Sequence, residues 1–313
     1  MNATPSRSFA RLAWFSLGWN MLVILWGAVV RATGSGAGCG AHWPTCNGEV
    51  IPFAPSVTTL IEYSHRLTSG VALILVALVL MRAWKLRPAG HLGRFWAGAS
   101  MFFIIAEAAV GAGLVLFERV AQDESTARGY WMSGHLVNTF LLLAALVLTA
   151  RFADSERETG GGFVASLRAT FPIGLSLLLV PAGVLALFAT GISGAIAALG
   201  DTLFKATSLR EAIAQDFSST SHIFLRLRVL HPMIALAAGL VLLAVAYRLV
   251  SVPAVNSRLR RMGLALAALV LTQWSLGVLN LLLLAPTWLQ IVHLLVADLI
   301  WISVVLVAAE TPE

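Results

Sequence analysis

The sequence predicts an all-α polytopic membrane protein whose eight transmembrane helices form two pseudo-symmetric four-helix bundles. Hydrophobic residues make up 58% of the 313 residues and charged residues only 12%, and the mean hydropathy is +0.85. That charged fraction is about half of what a soluble domain carries. Apolar runs long enough to cross a bilayer recur at about 12–30, 63–81, 95–117, 131–150, 171–191, 229–247, 262–285 and 288–308.

The basic residues predict how these helices are oriented. The run 12–30 is predicted to be a transmembrane helix and not a cleaved signal, and Ala285-Pro286-Thr287 predicts a tight hairpin between the last two runs. Most Lys and Arg lie in short segments on the side of the N-terminus, such as 82–94 and 248–261. The positive-inside rule then predicts a multi-pass cell-membrane protein with both termini cytoplasmic. The net charge of +6 is thereby accounted for, and no nucleic acid partner is expected.

Two halves of the chain repeat one another. The motif 31–36, Arg-Ala-Thr-Gly-Ser-Gly at the end of the first run, resembles 189–194, Ala-Thr-Gly-Ile-Ser-Gly, which is predicted to end the fifth. Glu107-x3-Gly111 in the third run likewise resembles Gln273-x3-Gly277 in the seventh. This predicts an N-terminal half, 1–155, and a C-terminal half, 165–313, joined by a polar linker at 154–162.

Four histidines occupy matching places in the two halves: His65, His135, His231 and His293. Each lies near the start of an even-numbered run, so all four are expected in the outer half of the membrane. Two histidines that face each other inside a four-helix bundle match the axial ligands of a six-coordinate haem, which predicts two haems. The alternative is that each histidine packs against a Ser, Thr or carbonyl. Zinc is disfavoured because no carboxylate or thiol accompanies three of the four.

The remaining histidines, His42, His91 and His222, lie in predicted loops outside the repeat and are interpreted as surface residues.

A carboxylate distinguishes the first half from the second. Glu62 precedes His65 by three residues and shares its helix face, whereas Arg228 stands at the corresponding place before His231. Glu62 is therefore a candidate general acid or base, although a Glu62–Arg66 pair that only stabilises the helix is an equal alternative.

Other charged residues lie at or within the predicted membrane. Arg66 and Arg228 are candidate partners of haem propionates, or else reach lipid headgroups. Glu107 and Asp298 fall inside apolar runs and are expected to face the protein interior.

The two cysteines, Cys39 and Cys46, lie in the first predicted outer loop, 38–47. Because the outer side of a membrane is oxidising, a disulfide is the favoured interpretation, and a pair of free thiols is the alternative. The loop would then lie at the mouth of the first-half site, as a lid or as a docking site.

Residues 18–305 resemble the haem A synthase family. The resemblance rests on motifs at 27–36, at 39–46 (Cys-Gly-Ala-His-Trp-Pro-Thr-Cys) and at 62–66 (Glu-x-x-His-Arg), and on Gly134-His135, His231-Pro232, Gln273-x3-Gly277 and His293-Leu-Leu. The cysteine loop followed by the Glu-x-x-His helix is the most specific element. Some family members have a second cysteine pair between helices five and six, and residues 192–225 contain none.

The resemblance implies an oxidoreductase that converts the C8 methyl of haem O into a formyl group by successive oxidations, giving haem A. It implies that His231 and His293 hold a resident haem B, that His65 and His135 bind the haem O substrate, and that Glu62 lies beside that substrate. It also implies a transient partnership with haem O synthase within the membrane lipid. The electron donor or acceptor and a homo-oligomer are left open.

Two other functions are compatible with the motifs. A two-haem b-type membrane electron-transfer protein needs the four histidines but gives Glu62 and the cysteine loop no role. A transporter with parallel repeats would use Glu107 and Asp298 as coupling sites, and would bind no chromophore.

Overall fold

A computed structural model describes residues 5–155, 163–170, 179–253 and 255–310. In that part of the chain, eight helical segments are long and apolar enough to span a membrane, as predicted. The helices, in chain order, are α1 (Pro5–Ala32), α2 (Val57–Leu86), α3 (Leu92–Leu116), α4 (Thr126–Phe152), α5 (Phe163–Thr170), α6 (Leu179–Leu203), α7 (Leu209–Phe217), α8 (Ile223–Arg228), α9 (Leu230–Ser251), α10 (Ser257–Leu282) and α11 (Thr287–Ala309). The chain is a multi-pass membrane protein.

The sixth span consists of two helices, α8 and α9, interrupted only at Val229. Pro232 lies three residues after the break. A proline inside a helix has no N–H to donate, and its ring clashes with the carbonyl four residues earlier, which here is that of Arg228. The break therefore falls two residues before His231.

The fifth span continues well beyond its predicted end. The prediction that 189–194 ends this helix is wrong, because α6 runs through the motif to Leu203. A Cβ on Gly191 would come within 2.6 Å of Leu136 in α4, so this glycine allows close helix packing inside the membrane. The start of the predicted run, 171–178, lies outside the described residues, as does the linker segment 156–162.

Each half has its helices in a ring with the same order of neighbours. In the first half α1, α2, α3 and α4 contact one another in sequence, and α4 returns to α1. In the second half α6, α9, α10 and α11 do the same. The helices α1 and α4 contact α6 and α11 across the middle of the molecule.

All four histidines of the repeat lie toward one end of this assembly. That end, called the histidine end here, is where α1 and α6 finish and α2 and α11 begin. Arg31 joins α1 to α6 and α11, because its guanidinium donates to Ala198 O at 2.9 Å, Thr202 Oγ1 at 2.7 Å and Gln290 Oε1 at 2.8 Å. At the opposite end Glu310 pairs with Arg151 at 3.1 Å.

An aromatic cluster forms the centre of the contact between the halves. Trp301 of α11 stacks on Phe140 of α4 with ring centroids 5.0 Å apart, and its edge meets Phe188 of α6 at 5.1 Å. Its indole N–H donates to Phe140 O at 2.7 Å. Since Trp301 is only 3% exposed, most of its surface is covered by this contact.

Trp301→Ala is expected to lower the free energy of unfolding by about 3–5 kcal/mol, because it leaves a cavity between the halves. Thermal unfolding of the detergent-solubilised protein measures the change. Trp288→Ala is the matched control, since Trp288 lies on the same helix but is 61% exposed. Equal losses in the two variants would show that Trp301 has no special role at the contact.

Candidate functional site

The structure brings the four histidines together in the two predicted pairs. His65 of α2 and His135 of α4 lie within electrostatic range of each other, inside the first bundle. His231 of α9 and His293 of α11 do the same inside the second. Neither pair is close in sequence, so the ring of four helices is what places the partners opposite each other.

A glycine lies against one imidazole of each pair. A Cβ on Gly27 of α1 would be 3.1 Å from Cε1 of His65, and a Cβ on Gly194 of α6 would be 3.0 Å from Cε1 of His231. Gly27 and Gly194 therefore occupy equivalent positions in the two halves. The motif match in the sequence is different, because it aligns Gly34 with Gly191. The role of Gly27 and Gly194 is to leave room for an imidazole beside the helix backbone.

The nitrogen atoms of these imidazoles have few protein partners. His231 Nδ1 lies 3.1 Å from Ser193 Oγ, which leaves its Nε2 available. Nδ1 of His65, His135 and His293 is buried and has no hydrogen-bond partner among the described residues. Because a buried imidazole needs a partner, these rings have bonding capacity left for a bound group. Two imidazoles on opposite helices of each bundle fit the axial ligand set of a haem.

Glu62 is buried and attached to the cysteine loop. Its carboxylate accepts a hydrogen bond from the backbone N–H of Cys39 at 2.8 Å and a second from Arg66. Arg66 in turn donates to the carbonyls of His42 at 2.7 Å and Thr45 at 2.6 Å. The Glu62–Arg66 pair thus exists, and it also fastens the loop over α2.

The cysteine loop is closed by the favoured disulfide, Cys39–Cys46. Thr59 donates to Gly38 O at 2.8 Å, and Tyr63 donates to Val50 O at 2.9 Å. A Cβ on Gly38 would lie 2.5 Å from the Thr58 carbonyl, so only glycine allows the loop to approach α2 this closely. One face of α2 therefore holds the loop while the same helix presents His65.

Arg228 performs a similar task in the second half. Its guanidinium donates to Asp201 at 2.6 Å and to Asp216 at 2.6 Å, joining α6, α7 and α8. Both arginines proposed as propionate partners therefore hold the segments at the histidine end through contacts within the protein.

Glu107, for which the sequence suggests no partner, belongs to the first histidine pair. Its carboxylate accepts hydrogen bonds from Asn138 Nδ2 at 2.6 Å and Thr139 Oγ1 at 2.5 Å, and lies 3.5 Å from His135 Nδ1. Gln273 of the second half lies 3.2 Å from His293 Nε2. The sequence feature that could have pointed to both residues is the repeated pattern of Glu107-x3-Gly111 and Gln273-x3-Gly277.

Asp298 is fully buried, and neither carboxylate oxygen has a hydrogen-bond partner within the described ranges. It lies on α11, beyond His293.

His91 is not a surface residue, contrary to the prediction. It is 1% exposed, accepts a hydrogen bond from the Gly93 N–H at 2.9 Å and lies 2.6 Å from Ser155 O. The imidazole caps the start of α3 and contacts the end of α4. A histidine that caps a helix has the sequence context of a loop residue, which explains the error.

Comparisons with known proteins identify the family of this chain. The profile of the COX15-CtaA family, described as cytochrome oxidase assembly protein, matches residues 10–305. Over 311 residues the chain is 48% identical to a protein of Thermus thermophilus named protoheme IX farnesyltransferase, covering 99% of this chain and 50% of that protein.

Two shorter matches are to proteins named heme A synthase. The chain is 41% identical over 138 residues to that of Shouchella clausii, covering 44% of this chain and 42% of the relative. It is 43% identical over 141 residues to that of Alkalihalophilus pseudofirmus, covering 44% and 45%. Nearly the whole of this chain matches two curated relatives, and the chain spans about half of their length. From the profile match and the paired histidines together, the chain belongs to the COX15-CtaA family of cytochrome oxidase assembly proteins.

Proposed function

We propose that this protein is a haem A synthase, an oxidoreductase that converts the C8 methyl of haem O into a formyl group by successive oxidations. In this proposal His65 and His135 bind haem O, and His231 and His293 hold a resident haem B. The observation that carries it is the arrangement of the histidines in two pairs, each within electrostatic range inside one ring of helices, with a buried carboxylate, Glu62, beside only one pair. The family and the relatives named heme A synthase support it.

The protein contributes positioning and proton transfer to this chemistry. A haem B on His231 and His293 would supply one-electron transfer to and from the substrate site. His65 and His135 hold the substrate by its centre, so a methyl at its edge remains free to react at a constant distance from α2. Glu62 lies one helical turn from His65 and is shielded from solvent, where its carboxylate takes up protons that the methyl loses.

The cysteine loop has a defined part in this proposal. Glu62 and Arg66 connect α2 to the segment closed by Cys39–Cys46, so the loop lies over the first bundle at the histidine end. Arg228 holds α7 over the second bundle in a comparable way. Arg66 and Arg228 thus shape the outer rim of each site, and each would reach a propionate by exchanging one of its present contacts.

The substrate implies a partner within the membrane. Haem O is too apolar to cross water freely, so a haem O synthase in the same bilayer would supply it through transient contact. The Thermus relative is named for farnesyl transfer to protohaem IX, and this chain matches half of it, which favours physical closeness of the two activities. We place the protein in the cell membrane with both termini cytoplasmic and the histidine end outside.

Expression with haem O synthase, in a host that lacks its own haem A synthase, tests the function. Chromatography of the extracted haems is expected to show haem A only when this chain is present. Two bound haem B groups and no haem A would instead support the two-haem electron-transfer protein. A purified protein without any haem would contradict both and leave the transporter.

Glu62→Gln is expected to reduce haem A formation roughly 100-fold while both haems stay bound, because glutamine cannot take up a proton. The amide keeps a carbonyl oxygen for the Cys39 N–H, so the loop should stay in place. Glu49→Gln is the matched control, since Glu49 lies in the same loop and its carboxylate accepts from the Phe53 N–H at 2.9 Å. Unchanged turnover in Glu62→Gln would exclude Glu62 from proton transfer.

A further inference from the structure

We propose that Glu107 is a positioning residue for His135, and that the exchange of this carboxylate for the amide of Gln273 in the second half gives the two haems different reduction potentials. The inference rests on the proposed function, since it requires a haem in each bundle. It concerns residues that lie beside the histidines and would act on the haems through them.

The first step is that Glu107 is held in a fixed orientation. Asn138 donates to one carboxylate oxygen at 2.6 Å and also to Phe103 O at 2.9 Å, which ties it to α3. Thr139 donates to the other oxygen at 2.5 Å. Two short hydrogen bonds from α4 therefore fix a carboxylate of α3 in the middle of the helix pair.

The second step is that the fixed carboxylate faces the imidazole. Oε1 of Glu107 lies 3.5 Å from Nδ1 of His135, and that nitrogen is buried without a hydrogen-bond partner among the described residues. The gap is slightly too long for a hydrogen bond, and a small rotation of the ring would close it. With Nδ1–H directed at the carboxylate, Nε2 is the nitrogen left for iron.

The third step is the difference between the halves. Gln273 of α10 approaches His293 of α11 at the other nitrogen of the ring. Its amide nitrogen lies 3.2 Å from Nε2 of His293, and Nδ1 of that ring is buried without a hydrogen-bond partner among the described residues. The amide carries no charge. A carboxylate that accepts from a ligand histidine makes the imidazole a stronger electron donor, whereas a neutral amide does so much less.

The consequence is a difference in redox chemistry between two otherwise similar sites. A more basic ligand stabilises the ferric over the ferrous state, and low surrounding polarity strengthens the effect. The haem of the first bundle should therefore have the lower reduction potential. Electrons leaving a substrate in the first bundle would then move toward the second.

A redox titration of the detergent-solubilised protein, saturated with haemin and followed in the visible spectrum, tests the inference. Glu107→Gln is expected to raise the potential of one haem, and Gln273→Glu to lower the potential of the other. Glu118→Gln is the matched control, because Glu118 is an exposed glutamate just beyond the end of α3 and should move neither transition. Glu107→Ala is expected to convert one haem from low spin to high spin as His135 turns away.

The outcomes separate this inference from the proposed function. If Glu107→Gln leaves both potentials unchanged with two haems bound, the inference is overturned while haem A formation stands. The same holds if Glu107→Gln and Gln273→Glu move the same transition. A wild-type protein that binds two haems but makes no haem A would overturn the proposed function. In that case the role of Glu107 would still be supported if Glu107→Gln and Gln273→Glu each shifted the potential of a different haem. A wild-type protein that binds no haem would overturn both.

Discussion

His65→Ala is expected to remove the haem of the first bundle and leave that of the second, and His231→Ala is expected to do the reverse. Each bundle has a pair of imidazoles within electrostatic range, so in the proposed function loss of one leaves a single axial ligand for the haem. A pyridine haemochrome spectrum with chromatography of the extracted haem measures the change. Haem O or haem A should disappear in His65→Ala, and haem B in His231→Ala.

His42→Ala is the control for this pair of variants, because His42 is exposed and only its backbone carbonyl contacts Arg66. It should retain both haems. Haem B lost equally from both sites would contradict separate substrate and cofactor sites and would support the electron-transfer protein. Full retention of both haems in His65→Ala and His231→Ala would contradict the assigned ligands.

Valine in place of Gly27 or Gly194 is expected to remove one haem from the corresponding bundle without altering any ligand. A Cβ on Gly27 would already lie 3.1 Å from His65, and one on Gly194 would lie 3.0 Å from His231. The methyl groups of valine extend further, so the imidazole must turn out of its position. Gly27→Val should lose the first-bundle haem and Gly194→Val the second-bundle haem, as measured by haem content per protein.

Gly18→Val provides the matched control for these substitutions. Gly18 lies on the same helix as Gly27, and a Cβ there would have no heavy atom within 4 Å. It should keep both haems and thereby show that the loss does not come from placing a β-branched residue in a helix. If all three variants lost haem equally, the close approach of glycine to histidine would have no special importance.

The histidine pairs show how far a repeat can predict a site. Because the two halves share a pattern, the sequence predicts that His65 belongs with His135 and His231 with His293, and the structure places them so. Their roles as ligands stay predictions. Glu107 and Gln273 stand at matching positions of the same repeat, but only the structure shows that they lie beside His135 and His293.

The motif 189–194 shows where the repeat is misleading. In sequence it resembles the end of the first helix, and glycines commonly end helices. In the structure Gly191 and Gly194 lie inside α6, against Leu136 and His231. A glycine fits both roles because it lacks a side chain, and only the neighbouring helix distinguishes them.

The sequence by itself determined the class and the eight spans, identified the four histidines of the repeat and favoured the disulfide over free thiols. A bilayer requires every backbone polar group to be satisfied within the segment, so spans follow from length and hydrophobicity alone. Only the tertiary structure decided that Glu62 holds Cys39, that Arg228 joins Asp201 to Asp216 and that Glu107 faces His135. These are single contacts between side chains or backbone groups that lie far apart in the chain, and they depend on how the helices pack, which no local pattern encodes.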